Sequence, residues 1–200
     1  MNNKRIIDSS FFSVDALLLS KKLLGKIIAR KINDKIFRFR IVEVEAYLGL
    51  DDEACHSHKK NRQRGKATPM YRQGGFTYIY LIYGMYYCFN IVSAPDNDPQ
   101  SVLIRALEPI EYKNFNFKLE KKEIHTNGPG KLCRFLQLST KLNDINLITS
   151  DEIWLEDDLD IDYSQIVESK RVNIGNVGEY IDKPWRFYIK NNQFVSKIDK

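Results

Sequence analysis

Lys35-Ile36-Phe37-Arg38-Phe39-Arg40-Ile41-Val42-Glu43-Val44-Glu45-Ala46-Tyr47 is the stretch on which the fold turns. Its apolar and charged residues alternate, which predicts a long strand whose successive side chains point to opposite faces. The alternation puts Phe37, Phe39, Ile41, Glu43, Glu45 and Tyr47 on one side if no bulge intervenes. Glu45 and Tyr47 then share a face, a carboxylate beside a phenol in an otherwise apolar run. Lys26 to Lys31 reads as a preceding strand, joined through Asn33-Asp34, a pair suited to a tight turn. Before it, Ser13 can cap a helix whose apolar positions Ala16, Leu17, Leu19, Leu23 and Leu24 follow helical spacing until Gly25.

Downstream, Phe76 to Ile82 and Tyr86 to Ser93 are strand candidates rich in aromatic and β-branched residues. The Tyr83-Gly84-Met85 link reads as a hairpin tip, with glycine supplying backbone freedom. Such a tip projects large apolar side chains outward, where no core can use them. Ser101 to Glu108 is another strand and carries Arg105 in an apolar run. Asn127-Gly128-Pro129-Gly130-Lys131 leads into a short helix through Leu132, Phe135, Leu136 and Leu138. Ile153 to Leu155 and Arg186 to Lys190 complete the strands. The expected class is α+β (mixed α/β): one compact domain over residues 1–200, with a curved, mainly antiparallel sheet, flanking helices and a protruding β-hairpin.

Composition narrows the function classes. At 200 residues the chain suits one well-packed domain. No apolar run approaches the roughly 18 residues of a membrane span, and the basic start leads into an acid and serines rather than a signal core. Cys55, Cys88 and Cys133 are widely spaced and lack a Cys-x-x-Cys pair. That pattern fits reduced thiols in a cytoplasmic protein and argues against a disulfide framework or a cysteine zinc site. Net charge is +5, and its distribution is uneven. Lys59, Lys60, Arg62, Arg64, Lys66 and Arg72 follow His58 without an acid, whereas Asp151 to Asp162 holds seven acids. One face can therefore meet phosphates while the other turns to solvent.

Glu45 alone reads as an exposed carboxylate on a half-buried strand. With Tyr47, His56 and Arg105 as neighbours it reads as a general base. His56 and His58 form His-x-His, yet a third metal ligand at recognisable spacing is missing, and His56 is more economical as a pocket residue. Gly128-Pro129-Gly130-Lys131 lacks the spacing of a nucleotide-hydrolysing loop, but its helix start can cradle one backbone phosphate. Tyrosines 78, 80, 83, 86 and 87 straddle the presumed turn, more rings than packing requires, and an exposed wedge for a nucleic-acid duplex is the sharper reading.

These motifs occur in one order over about residues 10–190, and the chain resembles the alkyladenine (3-methyladenine) DNA glycosylases. The likeness rests on Phe11-Phe12 through Lys26, Ile41 to Gly49, Asp52 to Ser57, Tyr78 to Asn90, Leu103 to Pro109, Gly128 to Leu132, Arg171, and Pro184 to Tyr188. It implies a monofunctional DNA glycosylase of base excision repair that flips out an alkylated purine and hydrolyses its glycosidic bond. It implies that Glu45 deprotonates the water and that Arg105 orients the two. Tyr47, His56 and Tyr80 would enclose the flipped base, and Asn90 would crowd the exocyclic amine of guanine. Tyr83, with Met85 beside it, would enter the duplex.

The run Asn61 to Lys66 departs from the family pattern, so phosphate contacts by Arg62, Arg64 and Lys66 rest on charge alone, and those by Gly130 and Lys131 on the loop. No cofactor or metal is implied. The expected partner is double-stranded DNA containing damaged purines, met by a monomer in the cytoplasm (at the nucleoid in a prokaryote) with no membrane or obligate protein partner. The competing class is a catalytically silent nucleic-acid-binding module using the same basic and aromatic surface. Glu45 and Arg105 weigh against it, because a binding groove has little use for a carboxylate facing its polyanion.

Overall fold

The computed structural model describes residues 4–59, 65, 67–110 and 125–197. Its eight strands are β1 (Ile27–Ile32), β2 (Lys35–Tyr47), β3 (Thr77–Ile82), β4 (Tyr86–Ser93), β5 (Gln100–Pro109), β6 (Ile153–Glu156), β7 (Ile166–Ser169) and β8 (Arg186–Ile189). Among the described residues two α-helices accompany these strands, α1 (Ala16–Leu23) and α2 (Pro129–Phe135). The main path runs β3-β4-β5-β2-β1-β6, and every pairing is antiparallel. The α+β expectation holds, and the sequence reading had no counterpart for β7.

β2 is the spine because of its length. Its first half pairs with β1, Glu43 to Glu45 pair with β8, and β5 follows its other edge from Phe39 to Tyr47. Asn33 and Asp34 take φ of 48° and 62°, the left-handed geometry that a two-residue hairpin needs and that these side chains tolerate. The main core gathers Phe12, Leu19, Leu23, Phe39, Ile41, Val44, Ala46, Ile79, Phe89 and Ile104 under one face of this sheet. Fully burying a side chain such as Phe39 or Phe89 contributes about 1.5–3 kcal/mol.

Unbroken alternation along β2 is corrected by the structure. The β2–β5 register shifts between Ile41 and Glu43 and again between Glu43 and Val44. Phe39 and Ile41 join the core, and so do Val44 and Ala46, whereas Val42 packs with Ala106 and Phe194. The extra residue flips the phase. Glu43, Glu45 and Tyr47 therefore leave the face that Phe39 and Ile41 occupy. A bulge inserts one unpaired residue and turns the side chains beyond it, which is how a core strand here delivers acids to a site.

Two smaller expectations also change. Asp15, not Ser13, caps α1, its carboxylate accepting from the Leu18 amide at 2.9 Å while the Ser13 hydroxyl donates to the Ser9 carbonyl. The acidic segment is not simply turned to solvent. Glu156 takes two hydrogen bonds from Arg38, Asp158 binds Arg40, and Asp157 and Asp160 both bind Lys26. These acids neutralise Arg38 and Arg40 on β2 and Lys26 just before β1. Among the described residues, no helix is long and apolar enough to cross a membrane.

Candidate active site

Glu45 lies fully buried on β2, just past the bulge. One of its oxygens, Oε1, faces Arg105 Nη1 at 3.1 Å and accepts from the Val172 amide at 2.7 Å. The other, Oε2, accepts from the Tyr47 hydroxyl at 3.0 Å. Burial, together with the Glu45 charge beside it, pushes the Tyr47 hydroxyl well above its ordinary range, so it remains a donor. Burial opposes the charge on Arg105, but Glu45 and Glu43 outweigh it and raise the guanidinium above its usual value. The carboxylate thus has a fixed orientation, with three donors on its two oxygens.

The Val172 amide is held by a neighbour that the sequence motifs gave no role. Arg171 donates to both oxygens of Asp52, at 2.6 and 2.9 Å, and to the Ala46 carbonyl at 3.1 Å. Its guanidinium also lies 4.7 Å from the ring centre of Tyr47 and 4.9 Å from that of Trp185. One buried ion pair therefore pins both the Tyr47 ring and the loop that supplies the backbone donor.

Two adjoining clefts, each about 230 Å³, open beside these groups. One is lined by Tyr47, His56, Tyr78, Tyr80 and Asn90, the other by Glu45, Tyr47, Tyr80, Cys88 and Arg105; Tyr47, Tyr80, Ile82 and Asn173 belong to both. The His56 ring meets Tyr80 edge-on, with centroids 4.5 Å apart, and its Nδ1 is 2.8 Å from the Tyr78 hydroxyl. His58 turns elsewhere, its Nδ1 at 3.0 Å from the Leu50 carbonyl, so the two imidazoles do not converge. Asn90 is buried and donates through Nδ2 to the Tyr78 carbonyl at 3.0 Å. Burial raises the Cys88 thiol against the opposing pull of Tyr80 and Arg105, leaving it a poor nucleophile. A larger cavity of about 430 Å³ lies apart, along residues 4–8, where Lys26 is already paired with Asp157 and Asp160.

The hairpin tip stands at the mouth. Tyr83 is 77% exposed and Met85 64%, an arrangement that a core would not permit. Tyr83 and Gly84 both adopt positive φ, 53° and 68°, and the Met85 amide closes the turn on the Ile82 carbonyl. Pro129 and Gly130 line the same cleft as Glu45. A Cβ on Gly130 would stand 2.9 Å from Tyr86 Cδ1, so this position requires glycine. Lys131 is exposed and its Nζ donates to Asn127 at 3.3 Å. Arg62, Arg64 and Lys66 lie outside the described residues.

Residues 10–193 match the sequence profile of the methylpurine-DNA glycosylase family. The chain belongs to this family. It is 48% identical over 192 residues to a protein of Borrelia garinii subsp. bavariensis, covering 96% of this chain and 100% of the relative. Identity is 44% over 195 residues with a protein of Natranaerobius thermophilus, covering 95% and 98% of the two chains. It is 38% over 194 residues with one of Bdellovibrio bacteriovorus, covering 96% and 99%. All three are named provisionally as 3-methyladenine DNA glycosylases.

Family membership makes this glycosylase a hydrolase of the N-glycosidic bond with DNA as its substrate. Of the residues expected from sequence, Glu45, Arg105, Tyr47, His56, Tyr80 and Asn90 line the two joined clefts, and Tyr83 and Gly130 border the one with Glu45. The sequence reading missed the Asp52–Arg171 pair, the Val172 amide and Asn173. Arg171 belongs to a matched motif, which was a usable signal. Val172 acts through its backbone, and no side-chain pattern announces that.

Proposed function

We propose that this glycosylase removes 3-methyladenine-type alkylated purines, and also deaminated and etheno purines, from duplex DNA, leaving an abasic site without cutting the strand. The observation that carries the reading is the Glu45 carboxylate, oriented by Arg105, Tyr47 and Val172 at the wall of a ring-lined cleft.

A base inside the stack is out of reach, so the nucleotide rotates out at an unstacking cost of a few kcal/mol. Tyr83, already exposed on the hairpin turn, fills the gap with Met85 and offsets part of that cost. The extruded purine enters between Tyr47, His56 and Tyr80. Alkylation at N3 or N7 gives it positive charge, and the tyrosine faces attract that charge by about 0.5–2 kcal/mol. An undamaged adenine lacks the charge and stays paired. Asn90, held by the Tyr78 carbonyl, crowds the exocyclic amine of guanine. Gly130 and Lys131 meet the backbone phosphate.

As the glycosidic bond lengthens, positive charge develops on the sugar, and Glu45 stabilises it. Glu45 then takes a proton from water as the water oxygen bonds to the sugar carbon, and the purine leaves with the bond's electron pair. No lysine lines either cleft among the described residues, which supports release by water rather than through a Schiff base.

The decisive experiment is an excision assay across duplexes carrying 3-methyladenine, 7-methylguanine, hypoxanthine or etheno-adenine. Base release with intact strands is expected; no release from any alkylated purine would refute the assignment. The tip has its own prediction. Tyr83→Ser should weaken lesion binding by about 5- to 150-fold, the worth of one stacking ring at roughly 1–3 kcal/mol. Binding to undamaged duplex should change by less than about twofold. Equal losses on both duplexes would remove the wedge role.

A further inference from the structure

We infer that Glu43 and Ser196 form a positioning unit that holds Arg105 against Glu45, so that the C-terminal segment is a working part of the catalytic centre. This rests on the reading that Glu45 and Arg105 carry base release. Arg105 divides its guanidinium among three partners: Nε donates to Glu43 Oε1 at 3.0 Å, Nη1 meets Glu45 at 3.1 Å, and Nη2 donates to Ser196 Oγ at 3.4 Å. Two of these three partners belong to the proposed unit.

Glu43 is itself over-determined. It is fully buried and accepts from Arg186 Nε at 2.8 Å, from the Ser196 amide at 2.6 Å and from the Ser196 hydroxyl at 2.9 Å. Arg186 is equally buried, donates to Ser169 at 3.0 Å and closes on the Lys197 carbonyl. Two carboxylates and two guanidiniums thus form a neutral buried quartet, with the tail folded over its far end. A buried charge is tolerable only when so paired, and a missing partner leaves the remainder free to reorient.

The backbone gives Arg105 no equivalent support. In the β2–β5 register, Ala106 opposes Glu43 and Ile104 opposes Val44, so Arg105 is the residue passed over. Two successive register shifts act here: the first passes over Val42 and turns Glu43 toward the site, and the second leaves Arg105 without a partner directly across the ladder. Its placement therefore depends on what grips the guanidinium from behind. A stabilising ion pair alone would need only Glu43 and Arg186. A shared oxygen, Oε1, that also accepts from Arg105 ties that pair to the catalytic carboxylate.

The test measures single-turnover base release from dimethyl sulfate-treated duplex DNA, alongside affinity for a duplex bearing a tetrahydrofuran abasic analogue. Misplacement of a reacting group by about 1 Å can cost on the order of 100-fold, so Glu43→Gln is expected to slow release about 10- to 100-fold. Ser196→Ala, at the half-buried edge of the quartet, should slow it about 3- to 10-fold and keeps the test open if Glu43→Gln does not fold. Abasic-analogue affinity should stay within about twofold for both. In an Arg105→Met background neither substitution should slow release further, because their effect passes through that guanidinium. Equal losses in both backgrounds, or a Ser196→Ala enzyme at the parental rate, would overturn the inference. Arg105→Met alone at the parental rate would instead overturn the reading of the site, and the inference with it.

Discussion

Glu45→Gln should bind lesion-containing duplex as the parent does, or slightly better, and release base about 100- to 10,000-fold more slowly, the usual worth of a positioned general base. In barrier terms the loss is about 2.7–5.5 kcal/mol. The substitution keeps the shape: its amide oxygen can take the place that faces Arg105 and Val172, and its amide NH2 can donate to the rotatable Tyr47 hydroxyl. It removes the proton acceptor and the negative charge facing the developing sugar cation. Binding should not suffer, since an anion beside a polyanion is no help to association. Single-turnover excision and a binding titration on the same duplex separate the two quantities. Base release at the parental rate would remove Glu45 from the chemistry.

The second large effect concerns stability. Asp52→Ala removes the carboxylate paired with the Arg171 guanidinium, which stays buried against Tyr47 and Trp185. Breaking a buried pair by removing one partner costs about 3–5 kcal/mol. At about 2–4 °C per kcal/mol for a chain of this size, Tm should fall by about 6–20 °C. Adding Arg171→Met should recover part of the loss, because the stranded charge disappears with its partner. A single substitution within about 1 kcal/mol of the parent would show that water reaches and solvates Arg171. Excision should also slow in Asp52→Ala, since the Val172 amide that fixes Glu45 follows Arg171 directly. That loss should persist below the melting range, where a stability defect alone would vanish.

Much of this was legible in the chain. Periodicity located β4 to the residue and β2 from end to end, because half-buried strands must alternate and turns must recruit residues that tolerate positive φ. The tip was legible for the opposite reason: Tyr83 and Met85 are large apolar side chains where packing has no use for them. The cap of α1 was misread because Ser13 and Asp15 are both able caps, and only the path of the backbone chooses between them.

The sequence by itself pointed to the antiparallel architecture, the protruding hairpin and the candidate carboxylate, arginine and rings, because local patterning and side-chain chemistry are carried in adjacent residues. Only the tertiary structure decided how they are aimed. The β2 bulge that turns Glu43 and Glu45 away from the core, the Val172 amide on Glu45, the Asp52–Arg171 clamp and the closure of Ser196 on Glu43 all join residues distant in sequence. Such contacts arise from competition for burial and charge pairing across the whole chain: the change of apolar phase at Ile41-Val42 is written in the sequence, but which strand pairs across it is not, and a backbone amide leaves no mark in the side-chain pattern.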